Sequence, residues 1–530
     1  MPTPPEPRLL SGDEAVALGA LDAGVALGSG YPGTPSTEVL ETLDRLGGPA
    51  RWSPNEKVAY EVGMGVALAQ GRALVVMKHV GLNVAADPFF ASAYVNIPGA
   101  FVLVSADDPG MFSSQNEQDN RRYAHAAGVP MLEPADAQEA YDLTLEAFEV
   151  SHRWQIPVML RMTTRVCHSK SVVRRRSERR EPLVPRFERD IKGRVLLPAY
   201  ARPAHRRLRH KLREIARWSE ESPLNHVTRR DNGLGIIASG VASLHAREAA
   251  PDASLLKLGV THPLPFARIR VFAESVARCL VVEEGDPYLE ESIRAAGVPV
   301  EGKLEPFRFG ELDVQRVRKL VEGDPTSEAA LFESAPPQLC PGCGYREVFA
   351  ALGELGCIVS GDIGCYTLAA LPPFEAIDST LCMGASIGVG LGMRHVLPDD
   401  QARRVVSVIG DSTFVHGGIG PLIEMMYNPP PDGHVVIVLD NGTTAMTGMQ
   451  DHPGTGMTLA MEPTSRLDFE ALTRAIGVKH VAVMDAKKDT VAFKQTLERF
   501  LAAGEPAVLI ARRTCVLKKK RPDDVQRERG

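Results

Sequence analysis

Arg404-Val405-Val406-Ser407-Val408-Ile409-Gly410-Asp411-Ser412 and His434-Val435-Val436-Ile437-Val438-Leu439-Asp440-Asn441-Gly442 decide the fold. Each is a short apolar run rich in β-branched residues, and each ends in a polar turn. Such runs read as buried parallel strands. Asp411 and Asn441 therefore fall at the carboxyl ends of strands, where open α/β sheets bind their ligands. Both offer oxygen ligands of the kind that Mg²⁺ selects, and Mg²⁺ keeps phosphate oxygens as co-ligands. Gly410 and Gly442 let the backbone approach a diphosphate. On these residues alone, a plain Gly-Asp turn stays open as an alternative.

Working outward, the same pattern recurs. Ala73-Leu74-Val75-Val76-Met77, Ala100-Phe101-Val102-Leu103-Val104-Ser105 and Pro157-Val158-Met159-Leu160-Arg161 read as buried strands, and Glu56 to Ala69 as a helix whose Gly63 and Gly65 permit close packing. Gly235 to Gly240, Leu255 to Gly259 and Cys279 to Glu284 repeat the theme. The expected fold is α/β, with three doubly wound parallel-sheet domains in 530 residues. The expected segments are 1–170, a charged linker with a surface helix over 171–230, a middle domain over 231–325, a third domain over 326–517 and a disordered polar tail over 518–530. The linker carries Arg174-Arg175-Arg176 and His205-Arg206-Arg207, but no aromatic ladder accompanies these basic residues, as a single-stranded nucleic-acid platform needs.

A net charge of −6 leaves no electrostatic footprint for nucleic acid. No apolar run reaches the roughly twenty residues of a membrane span. The opening Met1-Pro2-Thr3-Pro4-Pro5-Glu6 lacks the basic and apolar parts of a secretory signal. A cytoplasmic protein is the default expectation. The eight cysteines are too few for a disulfide framework, and five of them crowd into residues 340–382. In a reducing compartment such crowding points to metal binding or catalysis. Cys340-x-x-Cys343 can hold zinc or an iron–sulfur cluster. Cys167 and Cys279 read as buried core thiols.

Four blocks follow one another in the last third: Cys340-Pro341-Gly342-Cys343-Gly344, Gly361-Asp362-Ile363-Gly364-Cys365, Gly410-Asp411-Ser412-Thr413-Phe414 and Asp440-Asn441-Gly442-Thr443-Thr444. Near the amino terminus stand Tyr31-Pro32-Gly33-Thr34-Pro35, Trp52-Ser53-Pro54-Asn55-Glu56-Lys57 and Met77-Lys78-His79-Val80-Gly81. Together, over residues 8 to 517, they resemble the large subunit of indolepyruvate ferredoxin oxidoreductases, in the 2-oxoacid:ferredoxin oxidoreductase superfamily.

The resemblance implies a thiamine diphosphate enzyme with Mg²⁺. It decarboxylates an aryl-2-oxoacid oxidatively, passes the acyl group to coenzyme A and works with a smaller gamma-type subunit in a heterotetramer. Asp411, Asn441 and the backbone carbonyl of Thr443 are then the Mg²⁺ ligands. Gly361, Asp362, Gly364, Gly410 and Ser412 face the cofactor. Glu56 is the carboxyl group that makes the aminopyrimidine tautomerise, although its spacing from Ser53 also fits a helix capping box. Thr34 faces the 2-oxoacid. Lys78, His79, Arg121 and Arg122 are candidates to bind a carboxylate, and His79 is also a candidate catalytic residue. Cys340, Cys343, Cys365 and Cys515 match a proximal [4Fe–4S] cluster. The family pattern continues past this last cysteine into a ferredoxin-like tail, whereas the sequence ends at Gly530. That departure implies a relay supplied by a partner, an electron acceptor other than ferredoxin, or non-oxidative decarboxylase or acyl-transfer chemistry. A non-catalytic scaffold subunit is the remaining alternative.

Overall fold

The computed structural model of the protein describes residues 6–176, 180–326 and 337–518. The chain divides into two compact units, Met1–Leu331 and Phe332–Gly530. Among the described residues, no helix is long and apolar enough to cross a membrane. The tail expected over 518–530 lies, beyond Lys518, outside the described residues.

The first unit is built on a seven-stranded sheet. Its centre is the parallel set Val158–Thr163, Ala100–Asp107, Arg72–Lys78, Leu27–Gly30 and Ala50–Trp52. Ala100–Asp107 is buried along its whole length, as a strand covered on both faces must be. The helices Glu56–Leu68 and Ala137–Trp154 pack against this sheet.

A second, four-stranded sheet runs Arg278–Val282, Asp231–Ser239, Ala253–Leu258 and His226–Thr228. The strand that follows it, Val260–His262, leaves this sheet and pairs antiparallel with Met131–Leu132 at the edge of the larger one. One continuous core joins the two sheets, with Phe101, Ile237, Leu256 and Phe272 among its buried members. The exchanged strand and this shared core explain why residues expected in separate domains form a single unit. The helix Pro198–Glu221 buries Ala204, Leu208 and Ile215 and exposes Arg206 and Arg209, so one apolar stripe docks it on the unit.

A buried ionic network crosses the same junction. The Arg121 guanidinium is fully enclosed, bonds Asp119 and Glu283 and donates to the carbonyls of Glu284 and Asp286. Arg161 bonds Asp107 and Glu133 beside it. Removing one member strands charges that water cannot reach, which costs about 3–5 kcal/mol. Arg121→Met is therefore expected to lower the unfolding free energy of this unit by that amount, read from urea unfolding followed by circular dichroism. An unchanged midpoint would contradict it.

The second unit carries a five-stranded parallel sheet in the order Ile358–Ser360, Val405–Gly410, Val435–Asp440, Ala507–Arg512, His480–Met484. Its middle strands are wholly buried, as their unbroken apolar runs demand. Helices Tyr345–Glu354 and Thr490–Ala502 share one apolar core with the sheet, and helices Ala385–Val396, Ile419–Tyr427 and Phe469–Ile476 share another.

Candidate functional site

In the second unit the strand order collects the sequence motifs. The carboxyl ends of Ile358–Ser360, Val405–Gly410, Val435–Asp440 and Ala507–Arg512 are neighbours. Just beyond them lie Cys365, Asp411, Asn441 and Cys515. The Cys515 amide donates to the Asn441 carbonyl at 3.1 Å, and the Arg513 amide to the Asp440 carbonyl at 2.9 Å.

Asp411 opens a short helical turn, Asp411–Thr413, which runs on through a π-helical turn, Phe414–Gly418, into the helix Ile419–Tyr427. Single π turns of this kind gather at functional sites. The Asp411 carboxylate is buried and accepts the amides of Ser412 at 2.9 Å and Gly442 at 2.7 Å. The His452 Nε2 atom lies 3.3 Å from Asp411 Oδ2. Burial works to raise this carboxyl group. The facing imidazole and the two amides outweigh burial and hold it below the usual carboxylate range. Asn441 Oδ1 accepts the Thr443 amide, and the Ser412 hydroxyl accepts from Thr444. A buried carboxylate, an amide oxygen and a backbone carbonyl are the hard donors that Mg²⁺ takes, so these residues fit the cation and the diphosphate it would carry.

Asp362 departs from expectation. Its carboxylate accepts the amides of Ile363, Gly384 and Ser386, at 2.8, 2.8 and 2.9 Å. It shapes the loop and the start of helix Ala385–Val396 rather than presenting free oxygens. Gly361 and Gly364 are likewise needed by the chain itself, because side chains there would strike Ile377 and Tyr366. The buried Tyr366 ring also covers Gly410, donates to the Ile363 carbonyl and accepts the Gly410 amide, joining the two strand-end loops.

The four cysteines gather around this edge. A tight turn with Gly342 at φ 79° links Cys340 and Cys343, closed by the Cys343 amide on the Cys340 carbonyl. The adjoining helix Tyr345–Glu354 is tied to the sheet by Tyr345, whose hydroxyl donates to Leu439. Burial raises the Cys365 thiol to about 12, and Cys343, Cys515 and Cys340 reinforce the rise. Burial lifts the Cys343 thiol too, with Cys340 and Cys515 adding to it. A bound cation would favour ionisation of the Cys343 and Cys365 thiols that burial opposes. Cys167 and Cys279 are buried and Cys382 is exposed.

In the first unit, Glu56 is the first residue of helix Glu56–Leu68, and the helix cap is Asn55, whose side chain accepts the Val58 amide at 2.9 Å. The capping box with Ser53 is therefore absent. The Glu56 side chain is buried and packs on Gly81, where an added Cβ would lie 2.6 Å from Oε1. The Met77–Gly81 block carries no sign of this contact, since nothing in the spacing of Glu56 and Gly81 links them. A methyl group there must push the carboxyl group aside, so Gly81→Ala is expected to lower turnover at least tenfold with the melting temperature held. Unchanged turnover would contradict the contact's importance.

Lys78 and His79 follow the strand Arg72–Lys78. The Lys78 stem lies under Gly33, beside Thr34, and its ammonium donates to the Ser113 carbonyl at 3.1 Å. Burial lowers it to about 8, against the pull of Asp108 and Glu56. Hydrogen bonds from Ser113, Ser114 and Thr164 hold the Asp108 end of this loop, and the Ser113 hydroxyl reaches the Thr34 carbonyl at 3.4 Å. Burial drops His79 to about 4. Its ring is thus neutral near pH 7, with Nε2 at 3.1 Å from the Asn116 carbonyl and Nδ1 buried without a hydrogen-bond partner. It cannot clamp a carboxylate by charge, whereas Lys78 can. Gln118 and Asn120 fix this turn by donating to the His79 carbonyl. Arg121 is committed to its ionic network, and exposed Arg122 bonds Glu291. The expectation of an Arg121 clamp fails because no guanidinium edge is left for a ligand. A cavity of about 890 Å³ among helices of this unit takes in Arg122, His125 and His262 and excludes Glu56, Thr34, Lys78 and His79.

Comparison with known proteins gives the family. Residues 362–511 match the model of the carboxyl-terminal thiamine pyrophosphate-binding domain of thiamine pyrophosphate enzymes. Residues 18–210 match that of the thiamine diphosphate-binding domain of pyruvate flavodoxin/ferredoxin oxidoreductases. The chain is 40% identical to the indolepyruvate oxidoreductase subunit IorA of Archaeoglobus fulgidus, over 97% of this chain and 87% of that protein. It is 39% identical to the IorA subunit of Methanothermobacter thermautotrophicus, over 96% and 87%, and 36% identical to that of Thermococcus kodakarensis, over 97% and 87%. Among solved structures, a 2-oxoglutarate:ferredoxin oxidoreductase from Magnetococcus marinus shares the fold. Its TM-score is 0.52 at 16% identity, covering 60% of this chain and 65% of that one.

Proposed function

This chain belongs to the family of indolepyruvate oxidoreductase IorA subunits, and from that premise we propose that it carries out the oxidative decarboxylation of an aryl-2-oxoacid. The acyl group passes to coenzyme A, and the electrons leave through one [4Fe–4S] cluster to ferredoxin or another acceptor. The observation that carries this reading is the strand order of the second unit, which brings the Mg²⁺-type donors Asp411 and Asn441 beside Cys365 and Cys515. An electron-accepting centre next to the cofactor anchor is what an oxidative decarboxylase needs and a non-oxidative one does not. The relatives are named as subunits, which supports a smaller partner subunit completing the enzyme.

Thiamine diphosphate, when bound, supplies the electron sink for decarboxylation. Asp411, Asn441 and the Thr443 carbonyl would hold Mg²⁺, with Gly410 and Ser412 at the diphosphate. Glu56 would hydrogen-bond the aminopyrimidine from its buried position. Lys78 orients the 2-oxoacid carboxylate near Thr34, and neutral His79 serves as a hydrogen-bonding group. Cys340, Cys343, Cys365 and Cys515 would hold the cluster.

Two measurements test this reading. Anaerobically purified protein is expected to hold about four iron and four sulfide per chain, as a single [4Fe–4S] centre requires. Zinc in their stead would overturn the redox role of the cysteines. Lys78 is charged below about pH 8, so KM for the 2-oxoacid is expected to rise as pH climbs through 8, approaching tenfold per unit. Lys78→Met should give a high KM that is flat with pH. A wild-type KM that is level from pH 7 to 9 would remove Lys78 from substrate binding.

A further inference from the structure

We infer that the first unit holds a separate site for a divalent transition cation of the Zn²⁺ or Mn²⁺ type, formed by Asp13, Glu38 and His168. One ligand atom from each of these residues lies within 4.8 Å of the others. They come from three helices: Gly12–Asp22, Thr37–Arg45 and Thr164–His168. The three line a recess of about 260 Å³ together with Glu14, Glu41, Arg45 and Lys170.

The Asp13 side chain is wholly buried, and its carboxylate oxygens meet no backbone or cationic donor, only the Cys167 thiol and the Glu38 carboxyl group beside them. A buried carboxylate in that condition must take up a proton or a cation. The nearby side-chain cations are engaged elsewhere, since Arg45 and Lys170 both lie against Glu14, at 3.7 and 3.8 Å. His168 Nε2 stands 4.0 Å from Glu38 Oε2. Two carboxylates and an imidazole suit Zn²⁺ or Mn²⁺ better than Mg²⁺, whose sites are built from oxygen.

The cation would be a staple. Helix Thr37–Arg45 follows directly on the Tyr31–Pro35 loop. Helix Thr164–His168 begins at the threonine whose hydroxyl holds Asp108 at 2.7 Å. Binding would fix both against helix Gly12–Asp22.

The test uses anaerobic protein with its cysteines filled by iron, saturated with Mg²⁺ and thiamine diphosphate so that Asp411 is occupied. Calorimetric titration with Zn²⁺ is expected to give one binding event per chain and to raise the melting temperature. Glu38→Gln and His168→Ala replace exposed rim residues and should fold normally. Each should weaken that event at least a hundredfold and abolish the thermal shift. Asp13→Asn should do the same while raising the stability of the metal-free protein. Absence of zinc binding by the parent, or equal binding by Glu38→Gln and His168→Ala, would overturn the site and leave Asp13 as a carboxyl group that merely keeps its proton.

Discussion

Replacing Glu56 with Gln is expected to lower turnover about 10²- to 10⁴-fold, the usual contribution of a positioned proton donor or acceptor. Gln matches Glu in volume and keeps a hydrogen-bonding head, so helix Glu56–Leu68 and its Asn55 cap have no reason to change. The buried Glu56 carboxyl group lies against Gly81, in the turn that also carries His79. Because the amide cannot exchange a proton, the loss should fall on kcat and spare KM for the 2-oxoacid. Full activity of the assembled enzyme carrying Glu56→Gln would revive a subunit that does no chemistry.

Asp411→Asn is expected to weaken Mg²⁺–thiamine diphosphate binding at least a hundredfold, since even residues that only support metal ligands account for 10- to 100-fold. The substitution removes the negative charge that Asp411 presents to His452. It also replaces an oxygen that accepts the Ser412 or Gly442 amide with a donor. Both backbone turns should loosen, so the variant should also lose a few degrees of thermal stability. Quenching of intrinsic fluorescence by the cofactor would read the affinity. Binding as tight as in the parent would remove Asp411 from the anchor.

Much of this was legible in the chain. Unbroken apolar runs such as Val405-Val406-Ser407-Val408-Ile409 admit only a strand buried on both faces. A polar residue directly after such a run falls at the ligand-binding edge of the sheet. That logic puts Asp411 and Asn441 directly after strands, which is where the structure has them. Cys515 was assigned by resemblance alone, and the pairing of Ala507–Arg512 with Val435–Asp440 accounts for its nearness to Asn441. Other features depend on contacts between residues far apart in the chain, which periodicity does not encode. Val260–His262 crosses to another sheet because the Met131–Leu132 edge was open to pairing. Asp362 has the same Gly-Asp signature as Asp411, yet the amides of Gly384 and Ser386 draw its carboxylate inward. Arg121 reads as a ligand clamp until Glu283, far along the chain, is seen to occupy it. His452 is reached only through the fold of the loop that follows Thr443.

The most direct measurement is simultaneous release of labelled CO₂ from the carboxyl group of an aryl-2-oxoacid and reduction of a viologen dye. It is made with the enzyme assembled with its partner subunit, in the presence of thiamine diphosphate, Mg²⁺ and coenzyme A. One CO₂ is expected for each electron pair delivered to the dye, with both rates falling together in Glu56→Gln, and with dye reduction lost and CO₂ release confined to a single turnover per site in Cys365→Ser. CO₂ released with no reduction of the dye by the parent, and aldehyde as product, would contradict it.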